Sequence, residues 1–120
     1  MANQHAKGFE RLSNATHFSI AGFKAVWQHE EAFRQEILLL MVSCPTAIYL
    51  AKTSIEVLLL IGSIVLILLV ELLNSAIETV VDRIGFEQNE LSGRAKDIGS
   101  AAVMLSLIWA IITWSIILIF

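Results

Sequence analysis

The feature that most constrains this chain is a run of 22 residues, Gly99 to Phe120, that contains no charged side chain. A helix of that length crosses a hydrocarbon core of about 30 Å. Val57 to Val81 is a second long apolar stretch, of 25 residues. A chain of 120 residues of which 57% are apolar is too hydrophobic for an ordinary soluble core of its size. The sequence therefore predicts a single-domain, all-α integral membrane protein.

A third transmembrane helix is predicted from Ile37 to Ala51, which is apolar over 15 residues. That length is marginal alone, but it suffices if the helix begins inside the membrane interface. Pro45 lies within it and predicts a kink, because proline removes a backbone donor and crowds the preceding turn. The three spans are thus expected at about 32–51, 55–83 and 96–119.

The basic residues predict how these spans are oriented. Seven of them lie before Ile37 or between Val81 and Gly99, whereas only Lys52 lies in the turn between the first and second spans. Because loops rich in lysine and arginine stay in the cytoplasm, the N-terminus and the 82–98 segment are expected there. The polar N-terminus does not have the pattern of a cleavable signal peptide, so the mature chain is expected to be the whole chain.

Apolar residues recur at helical spacing before the first span, in a segment of about 6–30. They fall on one stripe, namely Phe9, Leu12, Thr16, Ile20, Phe23 and Trp27. Such a stripe is typical of an amphipathic helix that lies on the membrane surface. The alternative is a stripe that only packs on the other helices, and the pattern alone does not separate the two.

Polar side chains form one line along the second span. Glu71, Asn74, Glu78 and Asp82 fall within a sector about 80° wide at 100° per residue. A carboxylate in hydrocarbon is costly unless it is paired, wetted or protonated, which makes these residues functional candidates. They could instead hold helices together across an oligomer interface. A single acid would suffice for that task, and an amide is more usual, so function is favoured.

The segment from Asp82 to Ser100 is polar and is expected to form a long loop, with Lys96 and Asp97 at the mouth of the third span. We expect these two residues at about the depth of Glu78 and Asp82. A cation and several carboxylates at one depth suit the binding of a phosphate with a divalent ion. The sequence contains neither a Walker A loop nor GxGxxG, and a net charge of −3 does not favour nucleic acid as a partner.

These observations leave two classes of protein open. One is an enzyme at the membrane interface that uses carboxylates and a metal on a lipid. The other is a small oligomeric channel or proton pathway that uses Glu71 and Glu78. A conduction path would need polar groups along the third span too, where only serine and threonine occur. The polar loop and the depth of the acids favour the enzyme.

Three blocks of the sequence resemble the small bacterial membrane diacylglycerol kinases: EAFRQE (31–36), VELLNSAIETVVDRIG (70–85) and ELSGRAKDIGSAAV (90–103). The resemblance runs from about Phe9 to Trp114. It implies a homotrimeric bundle in the bacterial inner membrane, with a surface helix and three transmembrane helices per subunit and a periplasmic C-terminus. Neighbouring subunits would share active sites that transfer the γ-phosphoryl group of MgATP to diacylglycerol, giving phosphatidic acid. A related branch phosphorylates undecaprenol.

The resemblance also implies roles for individual residues. Glu71 matches the general base, and Asn74, Lys96 and Asp97 match polar residues of the catalytic centre, while Glu30 and Glu78 match ligands of Mg²⁺. ATP is expected to contact Arg11, Phe18, Glu30, Glu78, Glu87, Gln88, Asn89, Lys96 and Asp97. The lipid is expected to contact Arg11, Ser19, Lys24, Trp27, Ala32, Phe33, Arg34, Gln35, Glu36, Glu71, Ser100 and Trp114. The chain departs from the family at Phe18 and Gln88, where an aromatic hydroxyl is common, and at Ile20, where tryptophan is frequent.

Overall fold

The computed structural model describes residues 7–120, and this part of the chain is all-helical, as the sequence predicted. The four helices are α1 (Gly8–His29), α2 (Glu31–Leu50), α3 (Ser54–Ile84) and α4 (Glu90–Ile119). They belong to two compact units, one that contains α1 and one that comprises Ala32–Phe120.

Helix α1 begins where the backbone leaves the extended conformation. Lys7 is extended, and Gly8 has a φ of +59°, in the left-handed region that glycine adopts without steric cost. The helix ends at Glu30, which is extended again with φ −119° and ψ 107°. Within Gly8–His29 the helix buries no residue of its own. The role of α1 as a helix on the membrane surface stays a prediction.

Helix α2 continues through Pro45 to Leu50, and the kink expected at Pro45 stays a prediction. The turn after α2 is closed by a capping arrangement at the start of α3. The Glu56 backbone N–H donates to Thr53 Oγ1 at 3.1 Å, and the Lys52 backbone N–H donates to Glu56 Oε1 at 3.2 Å. These bonds satisfy donors that a helix N-terminus otherwise leaves unpaired.

Among the described helices, α3 and α4 are long and apolar enough to cross a membrane, with mean hydropathies of 2.7 and 2.4. Their apolar side chains mostly face outward, as Leu58, Leu69 and Leu105 do. A soluble protein would bury such a surface, so these two helices indicate a membrane protein. The third span expected at about 32–51 stays a prediction.

The core of the larger unit lies between α3 and α4. Ile64, Ile67 and Ala110 are buried together, and Trp114 packs against them. The Trp114 indole N–H donates to Leu60 O and to Ser63 Oγ, both at 3.1 Å. Ser63 Oγ in turn donates to Leu60 O at 2.7 Å. Trp114 therefore ties α4 to the backbone of α3.

Substituting Trp114→Phe is expected to lower the stability of the protein in detergent. The phenyl ring keeps most of the packing but removes the indole donor, and a hydrogen bond of this kind contributes about 1 kcal/mol. Thermal unfolding followed by circular dichroism measures the effect. Trp109→Phe is the matched control on the same helix, because Trp109 is 53% exposed. Equal losses in the two variants would contradict the role of the indole N–H.

Candidate active site

The centre of the site is an amide between two carboxylates on α3. Asn74 Nδ2 donates to Glu78 Oε1 at 2.8 Å and makes a longer contact of 3.5 Å with Glu71 Oε2. The spacings of three and four residues bring these side chains onto one face of the helix. Since a side-chain amide carries two donor hydrogens, Asn74 can hold both carboxylates in place without neutralising them.

Glu71 is the buried member of this group, with only 5% of its surface exposed. Its side chain is in hydrogen-bonding contact with that of Glu36, on α2. Two carboxyl groups in contact repel each other unless they share a proton or a cation lies beside them. The sequence named both residues, but it did not predict that they touch, because the contact depends on how α2 packs against α3.

A second polar pair lies one turn beyond Glu78. Lys96 Nζ and Asp82 Oδ1 form an ion pair at 2.8 Å, in which both side chains keep partial exposure, 45% and 38%. Asn89 fixes the start of α4, since its Oδ1 accepts the backbone N–H groups of Leu91 and Ser92 at 2.9 and 3.2 Å. The cap sets where α4 begins and hence where Lys96 stands opposite the end of α3.

A polar cavity of about 260 Å³ opens between the 85–89 loop and these helix ends. Its lining includes all five loop and α4 residues that were expected to contact ATP, namely Glu87, Gln88, Asn89, Lys96 and Asp97. A lysine amine and backbone and side-chain amides are suitable donors for phosphate oxygens. The cavity can therefore receive a phosphorylated ligand.

The fit of a magnesium ion depends on Glu78. Within residues 7–120, the side chains do not bring three potential metal ligands into one group. Magnesium, however, commonly takes one or two protein carboxylates and completes its shell with water and phosphate oxygens. Glu78 fits that role, because its carboxylate is half-buried and lies on the same face of α3 as Asn74. Glu30 lies in the unit of α1, so a shared site with Glu78 stays a prediction.

The other residues named from the sequence are distributed over three helices. Arg11, Phe18, Ser19, Lys24 and Trp27 lie on α1, and their part in this site stays a prediction. Residues 32–35 lie in the first turns of α2, where Phe33 is buried. Ser100 is exposed on α4. The structure adds Gly99, which lies next to Asn74. This glycine was not predicted from the sequence as a site residue. A glycine inside a long apolar helix was the signal that could have found it.

The fold and the site together define a class of protein. Two helices expose apolar surfaces that require lipid. One of them carries the buried Glu71 and the half-buried Glu78, and a polar cavity lined by Lys96 lies at its end. This is the arrangement of an integral membrane protein with a site for a charged ligand at the end of its spanning helices.

Comparison with known proteins identifies the family within that class. The sequence profile described as prokaryotic diacylglycerol kinase matches residues 17–118. The chain is 51% identical to the diacylglycerol kinase of Escherichia coli strain K12 over 118 residues, which cover 98% of this chain and 96% of that protein. It is 49% identical to the diacylglycerol kinase of Haemophilus influenzae over 113 residues, 94% of this chain and 96% of that protein. The chain belongs to the prokaryotic diacylglycerol kinase family.

Proposed function

We propose that this protein transfers the γ-phosphoryl group of ATP to the primary hydroxyl of diacylglycerol and releases phosphatidic acid and ADP. The observation that carries the proposal is the Asn74 amide, which joins the buried Glu71 to Glu78 on α3, one turn from Asp82 and its ion-pair partner Lys96 on α4. Membership of a family of lipid kinases supports it, as do diacylglycerol kinases that are about half identical to this chain over nearly its whole length.

Glu71 is the proposed general base. It lies seven residues from Glu78, about 10 Å along the helix, on the side of the apolar stretch Val57–Val70. A hydroxyl that stays in the bilayer interface can be reached from that depth, whereas ATP remains in water. Glu71 would accept the hydroxyl proton as the oxygen attacks phosphorus, a contribution of roughly 10²- to 10⁴-fold in rate. The carboxylates thus lie at lipid depth because the acceptor hydroxyl does.

Lys96 and the 85–89 loop are proposed to bind the phosphates. Phosphoryl transfer requires mainly positioning and the neutralisation of charge on the phosphate oxygens. Lys96 is held at the cavity by Asp82 and carries the positive charge required. Asp97 lines the same cavity, beside the loop residues Glu87, Gln88 and Asn89. These residues would orient ATP with its terminal phosphate toward α3.

Magnesium is proposed to be held by Glu78 together with Glu30. When bound, the ion would neutralise negative charge on the phosphate oxygens. The protein's own part is to keep the Glu78 carboxylate in one orientation, which the 2.8 Å hydrogen bond from Asn74 does.

The proposed enzyme is a homotrimer of the bacterial inner membrane with three spans per subunit, a cytoplasmic N-terminus and active sites shared between subunits. Two observations support an oligomer in the membrane. α3 and α4 leave most of their apolar surface uncovered. A chain of this size also encloses a wet carboxylate site better as an oligomer than alone.

The proposal is tested by assaying the purified protein in mixed micelles with ATP. Diacylglycerol and undecaprenol are offered side by side, with and without Mg²⁺. We expect metal-dependent phosphorylation of diacylglycerol. Labelling of undecaprenol instead would assign the protein to the undecaprenol branch. Failure of a folded oligomer to label either lipid would overturn the proposal and favour a channel or proton pathway through Glu71 and Glu78.

A further inference from the structure

Gly99 on α4 lies directly against the side chain of Asn74 on α3. It is a buried residue in the part of α4 that follows Lys96 and Asp97. A Cβ atom built on Gly99 would collide with Asn74 Oδ1 and would lie 3.2 Å from Asn74 Cγ. The Asn74 amide therefore occupies the space that any other residue at position 99 would fill.

The orientation of the amide explains why its oxygen faces Gly99. Asn74 has one donor end and one acceptor end, and both neighbours on its own helix are carboxylates that accept hydrogen bonds. The donor end must face Glu71 and Glu78, so the acceptor end points at α4. Asn74 Oδ1 is buried there and has no hydrogen-bond partner among the described residues. The close approach of a glycine backbone fills the space beside it.

We propose that Gly99 is a positioning residue, which keeps the Asn74 amide between Glu71 and Glu78 by leaving the facing position without a side chain. The consequence for catalysis rests on the proposed function, because Glu71 is the proposed base and Glu78 a proposed metal ligand. Glycine weakens a helix interior relative to alanine, so its place in the apolar α4 carries a cost that this contact explains.

A methyl group at position 99 has a local effect. The Asn74 side chain is short, so Oδ1 can escape the new Cβ only by rotation of the amide or by separation of α4 from α3. Rotation stretches the 2.8 Å bond to Glu78 Oε1 and moves the donor away from Glu71. Separation leaves those two contacts in place, because all three residues lie on α3, but it moves Lys96 on α4 away from Asp82 on α3. Misplacement of reacting groups by about 1 Å can lower a rate by roughly 100-fold.

The first test compares Gly99→Ala with Gly62→Ala in the lipid kinase assay. Gly62 lies within α3, and a Cβ atom there meets no atom of the described chain within 4 Å. We expect Gly99→Ala to lower kcat at least tenfold while the KM for diacylglycerol changes less than about threefold, because the lipid contacts remain. Gly62→Ala should keep the wild-type kcat. A wild-type kcat in Gly99→Ala would overturn the proposal.

The second test does not depend on activity, so it separates a failure of this proposal from a failure of the proposed function. Thermal unfolding is measured for wild type, Gly99→Ala, Asn74→Ala and the double variant. Truncation of Asn74 removes the atoms that collide, since Asn74 Cβ itself is 3.9 Å from the added methyl group. We expect Gly99→Ala to lower Tm more in the wild-type background than in the Asn74→Ala background. Equal decreases of Tm in the two backgrounds would overturn the proposal that Gly99 makes room for the Asn74 amide.

Discussion

Glu71→Gln is expected to lower the turnover of diacylglycerol by roughly 10²- to 10⁴-fold, the range of a positioned general base. Glutamine has the size of glutamate and can still contact Asn74, but it cannot accept the hydroxyl proton. Because Glu71 is distant from the 85–89 loop along the chain, ATP affinity should stay close to that of the wild type. Initial rates in mixed micelles and equilibrium binding of a nucleotide analogue measure the two quantities.

Glu56→Gln is the matched control for that experiment. Glu56 is another glutamate of α3, in the first turn, about 22 Å along the helix from Glu71. A glutamine oxygen can still accept the Lys52 backbone N–H that Glu56 Oε1 accepts at 3.2 Å. We expect wild-type turnover from it. Near-normal turnover of Glu71→Gln, with an intact oligomer, would remove Glu71 from the role of base.

Lys96→Met should have the next largest effect, roughly 10²- to 10³-fold in kcat/KM for ATP. Methionine keeps the length of the side chain but removes the charge at the polar cavity. It also leaves Asp82 without its partner at 2.8 Å, which adds negative charge where the phosphates are expected to bind. Steady-state rates at varied ATP concentration measure this loss, which should appear in KM as well as in kcat.

The control for Lys96 is Lys52→Met, in the exposed turn between α2 and α3. Both substitutions remove one positive charge from the chain, so a general effect of net charge would appear in both. Only Lys96→Met should impair ATP use. If the two variants keep the same kcat/KM for ATP, Lys96 does not bind the phosphates.

Several parts of this structure follow from local rules. The helices α3 and α4 follow from long apolar stretches. The alignment of Glu71, Asn74 and Glu78 follows from the helical rotation of about 100° per residue. Lys96 lies close to Asp82, as expected for two residues at one membrane depth. Each of these inferences needs only positions along one helix or the thickness of a bilayer. The polar loop expected from Asp82 to Ser100 was wrong in its extent, because the Asn89 cap starts α4 at Glu90 and Lys96 lies within that helix.

Contacts between helices could not be predicted in the same way. The contact of Glu36 with Glu71, the Trp114 indole on Leu60 O, and Gly99 against Asn74 all depend on the rotation and register of one helix against another. A change of one residue in register turns a helix by about 100° and replaces every such contact. The sequence carried only indirect signals of them, such as a glycine inside an apolar helix.

The most direct test of the central claim follows the phosphoryl group itself. The purified protein is given diacylglycerol in mixed micelles with Mg²⁺ and either γ-³²P-labelled or α-³²P-labelled ATP, and the lipid products are separated. We predict that label enters phosphatidic acid from the γ position and not from the α position. Lipid that stays unlabelled in both reactions, or takes label from the α position, would contradict the account.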